Sequence, residues 1–232
     1  MGYQKKAKKL GEVIGFALYC VASLPKTIYF NLKTLPFSSA VRLPILVGWN
    51  VKLVEVEGKC QLVGGAKPFI VRIGHGGSLT VPPQKASIRM RTGSLCRFNG
   101  KARMAAGNVL DLGGHIAFGK NFSSNRNAFI SCENSVSFGD DVLLGWDVHV
   151  FDNDGGHTIE YIGEEMKQRD PSIVIGNHVW LCSYSHVMKG SQVADGSVLG
   201  YRSLLLKRFE ERNVLLLGSP AEIRKHNVKW NV

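Results

Sequence analysis

From residue 130 onward, apolar positions return every six residues. ISCENS, VSFGDD, VLLGWD and VHVFDN carry Ile130, Val136, Val142 and Val148 first, and Cys132, Phe138, Leu144 and Val150 third. The pattern breaks at FDNDGGHTIEY, residues 151–161, and resumes near residue 172 as IVIGNH, VWLCSY, SHVMKG, SQVADG, SVLGYR and SLLLKR. There the third position reads Ile175, Leu181, Val187, Val193, Leu199 and Leu205, and serines at 185, 191, 197 and 203 suit tight corners. A helical stripe would return near 3.6 residues, and hairpins would need a turn signal between longer strands. Short strands joined by corners and coiling one way satisfy a period of six, the signature of a parallel β-helix. With three sixes per coil, Ile175 should stack on Val193, Leu181 on Leu199 and Val187 on Leu205.

Upstream the repeat is weaker. LDLGGH and IAFGKN fit it, with Leu110, Leu112, Ile116 and Phe118 inside, and a slip falls near NFSSNRNAF. SIRMR and LCRFNGKARM read as looser coils. Cys60, Cys96 and Cys132 are each 36 residues apart. In the ideal count that is two coils of about 4.8 Å each, too far for a bond between them. The expected organisation is a helical or irregular segment over 1–50, a β-helix over 51–208 interrupted by a loop at about 151–172, and a cap over 209–232. A structureless loop of that length in a solenoid points to function or to disorder.

At the N-terminus, Leu10, Val13, Ile14, Ala17, Leu18 and Val21 form one helical stripe that Pro25 should end. The apolar run LGEVIGFALYCVASL is short for a membrane span, which needs roughly 20 residues, and no small-residue cleavage site follows it. The usual expectation is that such a stripe packs on the protein's own body or on a neighbouring subunit. The competing one is a peripheral membrane contact, because Lys5, Lys6, Lys8 and Lys9 precede the stripe.

Composition narrows the partners. With 44% hydrophobic and 20% charged residues the chain reads as globular. A net charge of +11 suits an anionic partner such as a lipid surface or a phosphorylated small molecule. Nucleic acid is not expected, since the basic block lacks interleaved aromatics and no recognition motif is present. Five cysteines with no C-x-x-C pair argue against a disulfide framework or a zinc site and for a reducing compartment. The expected location is the cytoplasm, peripheral at the inner face of the membrane only in the competing reading of the N-terminus.

GKNFSSNRNAFI, FGDDVLLGWDVHVFDNDGGHTI, VIGNHVW, GSVLGYRSLLLK and GSPAEIRKHNVKW together resemble the hexapeptide-repeat acyltransferases, in particular the bacterial O-acetyltransferases that modify polysaccharides. The similarity covers roughly residues 110–232, and LPKTIYFNLKTLPF is similar to the N-terminal segment of some members. It implies an all-β left-handed parallel β-helix, a homotrimer with acetyl-CoA in clefts between subunits, and a glycan or sugar acceptor. In the family a loop histidine is the general base, and His157 is the matching position. A neutral imidazole can take the proton of a sugar hydroxyl as it attacks a thioester, and its pKa lies near working pH. A carboxylate can fix the ring. Asp154 is the first choice and Asp152 the second, although two glycines separate Asp154 from His157 where the family has Asp-x-His. Asn125 matches a position that supports the base or the acceptor; its other reading is a plain corner asparagine.

For acetyl-CoA the resemblance implies Trp180 beside the pantetheine and Ser183 lining it. Gly200, Tyr201 and Ser203 match the passage whose backbone bonds the pantetheine amides. Lys207, Arg224 and Lys225 face the phosphates, and the turn Gly218, Pro220, Ala221 lies beside adenine. Tyr201 stands where alanine is expected, Cys182 where glycine is usual and Leu206 where threonine is frequent. Two other readings remain. One is a catalytically silent binding or scaffold β-helix. The other is a metal-dependent carbonic anhydrase, which needs three histidines converging on an ion from His149, His157, His178 and His186, whose spacing matches no ligand set.

Overall fold

A strand of three or four residues buries only two side chains, so it is stable only where neighbours on both sides extend its core. The computed structural model meets this need by coiling. It describes residues 2–78, 80–157 and 170–231, with the backbone alone for 2–10. The chain is a left-handed parallel β-helix with three flat faces. The first face has nine strands, beginning at Ile45–Val47 and ending in an antiparallel pair, Leu215–Gly218 with Ala221–Lys225. The second runs from Lys52–Val56 to Leu204–Leu205 and the third from Lys59–Leu62 to Arg208–Phe209, each with seven strands among the described residues.

The stacking anticipated for the C-terminal coils is present: Ile175 pairs with Val193, Leu181 with Leu199 and Val187 with Leu205. The middle coils are longer. Leu110, Ile130 and Val150 stand in register, 20 residues apart. The extra two residues belong to the second face, which turns three side chains inward per coil: Ala128, Ile130 and Cys132 in one, Val148, Val150 and Asp152 in the next. This is the slip near NFSSNRNAF. On the third face Phe98, Phe118 and Phe138 stack nearly parallel, with centroids 5.2 and 5.5 Å apart. Each such pair contributes about 0.5–1.5 kcal/mol beyond its buried area.

The cysteine spacing needs correction. Cys60 and Cys96 are direct neighbours on the third face, one coil apart, because the first coils are lengthened by segments outside the strands. Both are buried and reduced, while Cys132 belongs to the second face.

The N-terminal helix also departs from expectation. Helix α1 runs Gly2–Thr34 with Pro25 inside it, and a single turn, α2, follows at Phe37–Ala40. The stripe that sequence rules assign to packing is the exposed one: Val13 is 59% exposed, Leu18 65% and Val21 64%. Ser23, Thr27, Asn31 and Thr34 are the buried side chains, together with Phe30.

Candidate active site

Two corners flank the second face, and the candidate residues divide between them. The first corner joins the first face to the second. Asn125–Asn127, Gly145–Asp147, Cys182–Tyr184 and Gly200–Arg202 stack along it. Each turn ends in a left-handed residue: Asn127 (φ 65°), Asp147 (52°), Tyr184 (61°) and Arg202 (54°). The amides of Asn125, Gly145, Cys182 and Gly200 donate to Leu144, Leu181, Leu199 and Leu216 at 2.8–2.9 Å, an unbroken ladder. Glycine is required at 145, where a Cβ would lie 2.5 Å from the Ser183 amide.

Side chains at this corner are largely committed. Ser183 Oγ accepts from the Trp146 amide at 3.1 Å, and buried Ser203 Oγ accepts from the Gly218 amide at 3.1 Å. Asn125 Oδ1 accepts from the Ser78 amide at 3.0 Å, and Asn127 Oδ1 from Gln84 at 2.9 Å, so the Asn-x-Asn stretch pins a neighbouring segment. Tyr201 is 58% exposed and meets Tyr184 edge-on, with the Arg202 guanidinium 5.5 and 5.7 Å from the two rings. Burial pushes the Cys182 thiol up to about 11, so it is neutral near pH 7 and no nucleophile.

The band proposed for acetyl-CoA is continuous. Trp180, Val198 and Leu215 are successive partners on the first face, and the Ser203–Gly218 bond joins the corner to the terminal hairpin. Trp180 is half-buried, its ring 6.0 Å from Trp230, which stacks on His178 at 4.2 Å and donates to the His178 carbonyl at 2.9 Å. Pro220 and Arg224 are exposed on that hairpin and Ala221 is buried. Lys207 is held by Glu222 at 3.0 Å. Arg224 and Lys225 have no ion pair among the described residues, which fits cations kept for phosphates.

The second corner joins the second face to the third and is where the chain departs. In the two preceding coils Leu112 and Cys132 fill the third inward position; Asp152 fills it here, fully buried. Its two oxygens accept from the amides of Glu133 (2.7 Å) and Asn134 (2.8 Å), which closes the previous turn. These bonds and its burial commit Asp152 to closing the turn. After Asn153 the chain turns outward through Gly155 and Gly156, both at positive φ. His157 is exposed at the rim, and its amide donates to the Asp154 carbonyl at 3.4 Å. The Asp154 carboxylate pairs with Lys189, not with the ring. Most of the anticipated loop, residues 158–169, lies outside the described residues.

His157 and Asp154 border a cleft of ≈ 520 Å³. Its floor was not anticipated. Arg89 grips Asp111 with two bonds of 2.8 and 2.6 Å, and Arg91 reaches Asp111 at 3.3 Å and pairs with Glu133. Among the described residues the Arg91 Nε is buried without a partner. These residues alternate outward along SIRMR, VLDL and CENS. Only the observed coil lengths bring them together, so the repeat alone could not reveal the group.

The four histidines weighed for a metal do not converge. His149 and His186 meet on the second face with rings 4.9 Å apart, whereas His178 is stacked under Trp230 at another corner. Among the described residues no group of three histidine, cysteine or acidic side chains is placed to hold an ion.

The chain is similar to galactoside O-acetyltransferase of Escherichia coli K12, 30% identical over 112 residues, which is 48% of this chain and 54% of that protein. It is equally similar, 30% over 123 residues, to an E. coli K12 protein named for O-acetyl transfer in lipopolysaccharide biosynthesis, WbbJ, covering 49% of this chain and 62% of that one. The matched part thus spans little more than half the length of these relatives. No protein-family model matches. Among solved structures, the polySia-specific acetyltransferase NeuO superposes with a TM-score of 0.57 at 21% identity, over 81% of this chain and 79% of that one, which shows the shared fold.

Proposed function

We propose that the chain is an O-acetyltransferase that moves an acetyl group from acetyl-CoA to a sugar or polysaccharide hydroxyl. The reading is carried by one observation: the only break in the C-terminal repeat puts an exposed histidine on the rim of a polar cleft. The similarity to proteins named as O-acetyltransferases supports it.

In this reading His157 takes the hydroxyl proton while the hydroxyl oxygen attacks the thioester carbonyl. The new C–O bond forms, the C–S bond breaks, and the proton passes to the departing sulfur. The product is an acetyl ester and free CoA. Trp180, Gly200, Tyr201 and the hairpin cations Arg224 and Lys225 hold the donor. The charged floor of Arg89, Arg91, Asp111 and Glu133 offers hydrogen bonds to acceptor hydroxyls. Asp154 orients the ring only by exchanging Lys189 for it. Because the donor band and the histidine lie at opposite edges of the second face, one copy would complete the other's site in a homotrimer.

The Asp154–Lys189 pair favours a second reading, a silent scaffold. Incubating the protein with acetyl-CoA and a glycan panel, with products followed by mass spectrometry, separates them. Acetylated glycan is expected; CoA that neither reacts nor raises the melting temperature at saturating concentration favours the scaffold.

A further inference from the structure

Helix α1 is amphipathic in the reverse sense, polar side inward. Asn31 donates to the Ile45 carbonyl at 2.6 Å and accepts from the Ile45 amide at 3.1 Å. Thr27 Oγ1 accepts from the Val47 amide at 3.1 Å and Ser23 Oγ from the Trp49 amide at 3.1 Å. Lys26 Nζ donates to the carbonyls of Trp49 and Val51, both at 2.6 Å. The spacing has a simple cause. Four helical residues rise about 6.0 Å, and two strand residues about 6.6 Å. Side chains at 27 and 31 therefore keep step with alternate residues 47 and 45 of the first strand, and Ser23 with Trp49 two residues beyond its end. The helix serves as a substitute strand on an otherwise open edge, the part of a sheet most prone to unwanted pairing.

The inward face carries few apolar side chains, Phe30 buried and Phe16 and Tyr19 against the His75 ring, yet the outward face is strongly apolar. Ile14, Leu18, Val21, Ile28 and Leu32 form one exposed stripe about 27 Å long, continued by Phe37, which is 75% exposed. Tyr29 and Trp49, more than half exposed, flank it. At its N-terminal end the first turns of α1 carry Lys5, Lys6, Lys8 and Lys9, opposed by Glu12 alone. An apolar ridge with aromatic flanks and a cationic end matches the surface of an anionic bilayer.

We propose that α1 docks this end of the prism flat on an anionic membrane, with the coils projecting away from it. Gly11–Thr34 is also long and apolar enough to cross a bilayer. A crossing would strip Ser23, Lys26, Thr27 and Asn31 from the first strand, carry them into hydrocarbon and expose the edge, so the interfacial position is the favoured one. The proposal does not depend on the acetyl-transfer reading.

The test is co-sedimentation of the full chain with phosphatidylcholine vesicles with and without about 30% phosphatidylglycerol, an anionic lipid that gives the surface a negative potential. Binding to the anionic vesicles, weaker with added salt, is expected. It should fall at least ~10-fold in Leu18→Ser/Val21→Ser/Ile28→Ser, whose positions share the exposed face of the helix and whose melting temperature should match wild type. No binding to either vesicle, or equal binding by the triple variant, overturns the proposal. So does resistance of the membrane-bound protein to alkaline carbonate, which means a span. A lipid-free dimer that the variant dissociates, without vesicle binding, overturns it as well and assigns the stripe to a second copy.

Discussion

The two corners of the second face treat the chain in opposite ways. At the first, four successive coils turn with the same three-residue pattern, their amide ladder is unbroken, and Ser183, Ser203, Asn125 and Asn127 spend their polar atoms on backbone. At the second, Asp152 closes the preceding turn and the next residues leave the prism, with His157 exposed. A regular corner satisfies itself and offers a ligand mainly shape and backbone. The irregular one presents a side chain, His157, whose ring makes no hydrogen bond among the described residues, an arrangement suited to acid–base work.

If the corners differ only in what they add to a shared core, removing that core should harm both. Leu144→Ala empties a fully buried ladder position, and a loss of about 2–5 kcal/mol is expected from denaturant unfolding. A loss below about 1 kcal/mol would mean the coils do not share one packed interior. Asp152→Ala acts on the second corner alone. It orphans the Glu133 and Asn134 amides, and a loss of about 1–3 kcal/mol is expected; an unchanged midpoint would show that the corner closes without it.

A pH dependence sharpens the contrast. Burial, then the neighbouring His186, hold the His149 ring below the ordinary histidine value of 6.5. The unfolded chain takes up this proton as pH falls past about 6.5, while the folded chain resists until its own lower value. Stability is therefore full above that window and declines as pH drops through it. The fall in melting temperature between pH 7.5 and pH 5.5 should be shallower in His149→Gln; an equal fall in both proteins would assign the effect elsewhere. The smallest effect is expected from Asp154→Asn, which breaks an exposed ion pair worth about 0–1 kcal/mol and should move the melting temperature by no more than about 4 °C.

Why some of this was readable in the sequence follows from the same contrast. A repeat of six exposes the inward positions, so the core from Ile130 to Leu205 and its stacking partners could be named beforehand. The excursion at His157 was visible as the failure of that repeat. Coil length was only partly visible: one pair of extra residues showed as the slip near NFSSNRNAF, whereas the next fits the six-residue frame until Asp152 is seen beside Leu112 and Cys132. The cleft floor was hidden for the same reason, since Arg89, Asp111 and Glu133 meet only once register is known. Helix α1 misled because the pattern rule assumes an apolar inward face, whereas an edge strand is better served by hydroxyls and amides.

The account turns on His157 more than on any other residue. The most direct measurement is the initial rate of acetyl transfer from acetyl-CoA to a reactive glycan by His157→Ala, with CoA affinity measured on the same sample. A fall of about 10²-fold or more with CoA affinity unchanged is predicted. A rate near wild type would contradict the assignment of the base, and with it the reading of the second corner as the site of chemistry.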